Sequence, residues 1–99
     1  MTNHVLLNNV DHKDLKVITT RSAEYGDNVQ CAVTFSWEFR SIQAHYPIFF
    51  SKGAGTGEFS SVAMFGLENK ENLFLHESGW DAHYIPLSIR REPFLIGFQ

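Results

Sequence analysis

The chain has one cysteine, Cys31, in 99 residues. A single thiol excludes an internal disulfide and a cysteine-based zinc site, and it fits a reducing compartment. Charge is also scarce. Asp, Glu, Lys and Arg make up 19% of the chain, below the usual quarter, which excludes a charge-rich disordered polymer. The formal net charge is −3, so the electrostatic footprint of a nucleic-acid or anionic-membrane binder is absent. The one basic pair, Arg90 and Arg91, is followed at once by Glu92. No apolar run approaches the roughly 18 residues of a membrane span. The start, MTNHVLLNNV, lacks the basic region and long apolar stretch of a secretory signal. The expectation is a cytoplasmic chain with no membrane span and no nucleic-acid partner.

Aromatic residues, by contrast, are abundant: nine Phe, three Tyr and two Trp within a composition that is 43% hydrophobic. That material suits one folded domain over residues 1–99, of a size that buries about 60 to 70% of its unfolded surface. HVLLNNV (4–10) and LKVITT (15–20) read as short strands, and YGDN (25–28) as a turn. VQCAVTFSW (29–37) alternates strictly, which predicts a half-buried strand. Its bulky set, Val29, Cys31, Val33, Phe35 and Trp37, is expected in the core, with Cys31 acting as a small buried hydrophobe.

EFRSIQAHY (38–46) breaks the alternation and predicts one or two helical turns that end before Pro47. PIFF (47–50) and FSSVAMFGL (59–67) read as strands joined by the loop SKGAGTGE (51–58). A strand LFL (73–75) and a loop HESGWDA (76–82) follow. Pro86 starts a short helix that Pro93 ends, and FLIGF (94–98) closes as a strand. The fold class is therefore β-dominated, all-β or α+β: a mainly antiparallel sheet with one or two short helices.

The glycine-rich stretch GAGTG (53–57) has no following Lys, matches no phosphate-loop spacing and sits between strands, so it reads as a hairpin connection. Ser78 is in no nucleophile elbow, and no catalytic residue is assigned. His45, His76, Asp81 and His83, with Glu77 nearby, are the residues from which a two-histidine, one-carboxylate iron site, or a zinc site, would be drawn. Their spacing fits no helical pair, and the leading expectation is no cofactor. Tyr46, Trp80 and Tyr84 are amphipathic aromatics able to cap a core or line a groove. With Arg90 and Arg91 they form the candidate binding set. One of the two arginines is expected to clamp Glu77, Asp81 or another acid within the fold.

From residue 45 onward, HYPIFF, GEFSSVAMFGL, NLFL, GW, YIP and IRREPF occur in the order and spacing of the SapC family of bacterial proteins. The resemblance spans roughly residues 30 to 98. It implies an accessory role towards bacterial surface-layer or envelope proteins, and it carries no catalytic residues across. SapC proteins are longer, so the resemblance also implies the N-terminal portion of a longer family member.

Three functions compete on this basis. The first is a non-enzymatic binding or assembly module acting on another bacterial protein. The second is a metal-dependent enzyme on the histidines above. The third is a fragment without autonomous activity. The apolar run PFLIGF further predicts a homodimer through residues 94–98, because a strand there would present an open edge.

Overall fold

The computed structural model describes residues 3–97. A 3-10 turn at Ala23–Tyr25 precedes strand β1 (Cys31–Val33). A second 3-10 turn, Ser36–Glu38, runs directly into helix α1 (Phe39–Ile42). Strands β2 (Ile48–Lys52) and β3 (Phe59–Met64) follow, then β4 (Leu75–His76), β5 (Gly79–Trp80) and helix α2 (Leu87–Arg90). The architecture is β-dominated, antiparallel throughout, with short helices, as the patterning predicts. Among the described residues no helix is long and apolar enough to cross a membrane.

The main sheet has the order β1-β3-β2. Ala32 stands opposite Ala63, and Ile48 takes the other side of Ala63. The second sheet is the β4–β5 ribbon, in which Leu75 faces Trp80 and His76 faces Gly79. Gly79 has φ +117°, a backbone state open to a residue without Cβ, and it lets a two-residue turn close this ribbon inside the stretch read as a loop. Pro47 stops α1 where expected: the last helical bonds run from the N–H groups of His45 and Tyr46 to the carbonyl of Ile42. Pro86 caps α2 at its start.

The buried core consists of Ala32, Ile42, Tyr46, Ala63, Phe65 and Ile89. Ala32 and Ala63 present a flat floor on the inner face of the sheet, and the larger side chains lie on it. Trp80 of the second sheet and Phe74, just before that sheet, close the far side. Tyr46 meets Phe74 edge to face at 4.6 Å between centroids, and Phe65 meets Trp80 in the same way at 5.1 Å. Such contacts add about 0.5 to 1.5 kcal/mol each beyond area burial.

Four expectations fail. Residues 4–10 and 15–20 are not strands. The Asn8 side-chain oxygen accepts from the N–H groups of Val10 and Asp11 and bends the chain into a turn over residues 9–14, a local alternative to extended pairing. Leu6 stays 85% exposed and Ile18 64%. In β1 the faces are exchanged: Ala32 and Thr34 are buried, whereas Cys31, Val33, Phe35 and Trp37 point outward. The space inside is already filled by Ile42, Tyr46 and Phe65, and only small side chains fit beneath them. Of LFL only Leu75 belongs to a strand. Residues 94–97 form no strand either. The Phe94 N–H bonds the Arg91 carbonyl and continues the turn that ends α2, and Phe98 lies outside the described residues.

Candidate binding surface

Inside the fold, polar side chains satisfy one another. Glu38 is 2% exposed, and its carboxylate accepts three hydrogen bonds. The Phe35 N–H donates at 2.8 Å, the Tyr84 hydroxyl at 2.6 Å and the Leu87 N–H at 3.1 Å. The first bond satisfies the N–H of the N-cap residue Phe35, which has no side-chain acceptor of its own to give in return. The third fills an orphan donor at the start of α2 with an anion, where the helix dipole favours one. A single carboxylate thus ties the end of β1, the start of α1 and the start of α2. Nothing in its sequence context, SWEF, singles it out beyond an acid among aromatics.

The second group is Tyr46, Trp80 and Tyr84. The Tyr46 hydroxyl accepts from the Trp80 indole N–H at 2.7 Å and donates to the Tyr84 carbonyl at 2.5 Å. Burial raises the Tyr46 pKa, opposed by the Trp80 bond. Burial also raises the Tyr84 pKa, and the hydrogen bond and charge of Glu38 add to it against Arg90. The Arg90 guanidinium lies 5.1 Å above the Tyr84 ring centroid. Four of the five residues in the candidate binding set therefore meet, but they meet as internal fastenings. Arg91 is half-buried, with its Nε unpartnered.

The expected acid clamp forms elsewhere. Arg21 pairs with the buried Asp27 at 3.3 Å and donates to the Ile89 carbonyl at 3.2 Å. Asp81 pairs instead with His76 at 3.6 Å, both exposed, and such a contact contributes little. His45 lies beside His83, ring centroids 6.0 Å apart. The four proposed metal ligands thus form two pairs, and among the described residues no three His, Cys, Asp or Glu converge.

The surface the sequence did not reveal is the outer face of the main sheet. Register places Cys31, Val33, Val62, Met64 and Phe49 together on it, with Val62 of the central strand buried between its neighbours and Met64 half-buried. Val33 is 51% exposed and Phe49 55%. Phe35 and Trp37 extend the same side beyond β1, stacked with centroids 6.2 Å apart and planes 7° from parallel. Only the β1 alternation could have shown this, had its faces been assigned the other way. A separate open groove lies between residues 15–21 and 92–95, with Leu15, Val17, Ile18, Pro93 and Leu95 on its walls.

The class defined by these features is a small antiparallel β module whose buried carboxylates are hydrogen-bonded internally and whose sheet has a partly exposed apolar outer face. The chain matches the SapC family over residues 7–99 and belongs to that family. No curated protein and no solved structure matches it.

Proposed function

We propose that the chain is a non-enzymatic binding and assembly module that serves bacterial surface or envelope proteins. The observation that carries this reading is the apolar outer face of the sheet, Val33 and Phe49 flanked by the Phe35–Trp37 stack. Full burial of a side chain of the Phe or Val class contributes about 1.5 to 3 kcal/mol. Exposed Trp and large apolar residues gathered on one patch are the composition of a contact hot spot. No charged residue is among those the register places on this face, so the partner it fits is one with an uncharged aliphatic or aromatic surface. Self-association belongs to the same reading. Phe94, Leu95 and Ile96 are exposed, and with no strand over residues 94–97 a second copy would meet this end of the chain through side chains.

The test is a photo-reactive phenylalanine analogue at Trp37 in the full chain, in living bacteria, with the analogue at exposed Glu68 as a control. Adducts to a surface or envelope protein from position 37 alone are expected. Adducts only to the chain itself, or equal yields from both positions, overturn the reading.

A further inference from the structure

The two edges of the main sheet are closed to different degrees. Along β1, the Ser88 hydroxyl bonds the outward carbonyl of Val33 at 2.8 Å, and α2 lies beside the strand. Along the outer edge of β2 no element of the described residues is docked. The Met64 N–H bonds the Pro47 carbonyl and the Gly53 N–H bonds the Glu58 carbonyl. Those two bonds fix the phase of the ladder: Pro47, Phe49, Ser51 and Gly53 turn their backbone groups towards β3. Ile48, Phe50 and Lys52 turn theirs outward, and none of these groups has a backbone or side-chain partner among the described residues. Pro47, the residue that most often blunts an edge, falls in the inward phase and leaves the outward row unbroken. Every residue from 49 to 60 is exposed, with Phe50 and Phe59 each 67% exposed on one face of the hairpin. β1 pairs only with Val62–Met64. The far half of the hairpin is a two-stranded ribbon, an arrangement only marginally stable without further packing.

We propose that the occupant of this edge is β2 of a second copy of the chain, antiparallel about a two-fold axis at Phe50. This rests on the assembly reading above and moves the contact between copies from residues 94–98 to the sheet edge. Three outward residues centred on an apolar one form a self-complementary row, as an isologous contact requires. Phe50 then stands opposite Phe50 of the second copy, and Ile48 opposite Lys52. The like charges of the two lysines are kept apart, and about six backbone hydrogen bonds form. Phe59 lies diagonal to Phe50, within aromatic reach, so four phenylalanines close over one face of the joint. The result is one continuous sheet, β1-β3-β2-β2-β3-β1.

The experiment is light scattering of the full chain across a concentration series, with three variants. The native chain is expected to dimerise, and Phe50→Lys to yield monomers with an unchanged circular-dichroism spectrum. In a Cys31→Ala background, Phe50→Cys is expected to form a disulfide-linked dimer under mild oxidation. Directly opposed hydrogen-bonded residues sit about 5.5 Å apart at Cα, within disulfide range. Phe49→Cys in that background meets Ser51 and is expected to stay uncrosslinked. The cysteine pair reads the register even where Phe50→Lys fails to fold. A monomer up to roughly 1 mM, equal crosslinking at both positions, or a dimer dissociated by Phe94→Lys and not by Phe50→Lys overturns the proposal. A monomer that still gives envelope adducts from position 37 sinks this contact and leaves the binding reading standing.

Discussion

A buried carboxylate with no ion-pair partner among the described residues depends on its donors, and Glu38 has three of them: Phe35 after β1, Tyr84 ahead of α2 and Leu87 at the start of α2. Removing the acceptor leaves the Phe35 and Leu87 N–H groups and the Tyr84 hydroxyl unpaired in the interior. Glu38→Ala is therefore expected to cost about 2 to 4 kcal/mol in urea unfolding, since bonds to a charged group are stronger than neutral ones. A loss under about 0.5 kcal/mol, the size of an ordinary surface change, would show that the carboxylate fastens nothing.

The Tyr84 hydroxyl bonded to Glu38 and the Tyr46 hydroxyl bonded to the Tyr84 carbonyl make stability depend on alkaline pH. Both Tyr46 and Tyr84 have raised pKa values, chiefly through burial, so the folded state holds these protons more tightly than the unfolded chain. That contribution is complete below the unfolded value of about 10 and is lost as pH climbs from there through the folded pKa. Tyr84→Phe is expected to start less stable at neutral pH and to lose stability less steeply above pH 10. Parallel slopes for the two proteins would reject the Tyr84 contribution.

At the scale of elements, β1 shows what alternation does and does not determine. A period of two specifies a strand but not its inner face; the bulk of the neighbouring elements decides that. Here Ile42, Tyr46 and Phe65 fill the interior, so Ala32 and Thr34 take the inner positions. Phe35→Ala is accordingly expected to cost about 1 kcal/mol or less, not the 3 to 5 kcal/mol of a fully buried Phe. Cys31 is expected to react with a thiol reagent in the native state nearly as fast as in urea; slow native reaction would return it to the core.

The stops at Pro47 and Pro93, the start at Pro86 and the β2–β3 hairpin were legible because proline and glycine act locally. The candidate binding set was legible only as residue types. That Tyr46, Trp80 and Tyr84 bond each other depends on residues up to 38 positions apart, which no local spacing encodes. The N-terminal stretches failed for the opposite reason: strand-like composition found no ladder partner, while the Asn8 turn needed none.

The hairpin loop also has a register to keep. Lys52 pairs with Phe59, and the Gly53 N–H bonds the Glu58 carbonyl at 2.7 Å. Replacing all of residues 53–57 by Asn-Gly would set Lys52 opposite Glu58 and shift the pairing by one. Replacing only Ala54–Gly57 by Asn-Gly preserves the Gly53–Glu58 pair and is expected to leave the melting temperature within a few degrees, because closure entropy changes slowly with loop length. A drop beyond about 8 °C, more than about 1 kcal/mol in a domain this size, would mean that the four deleted residues do more than connect.

As a whole the molecule is more open than a closed domain of its length. Its radius of gyration is 15.2 Å, against about 13 Å for a compact 100-residue domain. The excess fits a body built around the two sheets from which the hairpin and the N-terminal stretch project. The boundary between body and stretch falls at Arg21, held by Asp27 and by the Ile89 carbonyl, with the Asp27 carbonyl in turn bonded by Asn72. Before that point residues 13–20 are exposed, and the backbone hydrogen bonds there come from the turn that starts at Asn8. A protease needs a segment it can draw out at low free energy, and such segments have few buried contacts and no ladder. Limited trypsin digestion is therefore expected to cut first after Lys13 and Lys16, leaving a product that begins at Val17 and keeps the native near-ultraviolet spectrum. Arg40 is exposed too, but it sits in α1, whose N-cap Glu38 and last residue Ile42 are buried, so cleavage there requires opening the core. Cutting after Arg40 at the rate seen after Lys16 would place the weak point of the molecule in α1 and not ahead of Arg21.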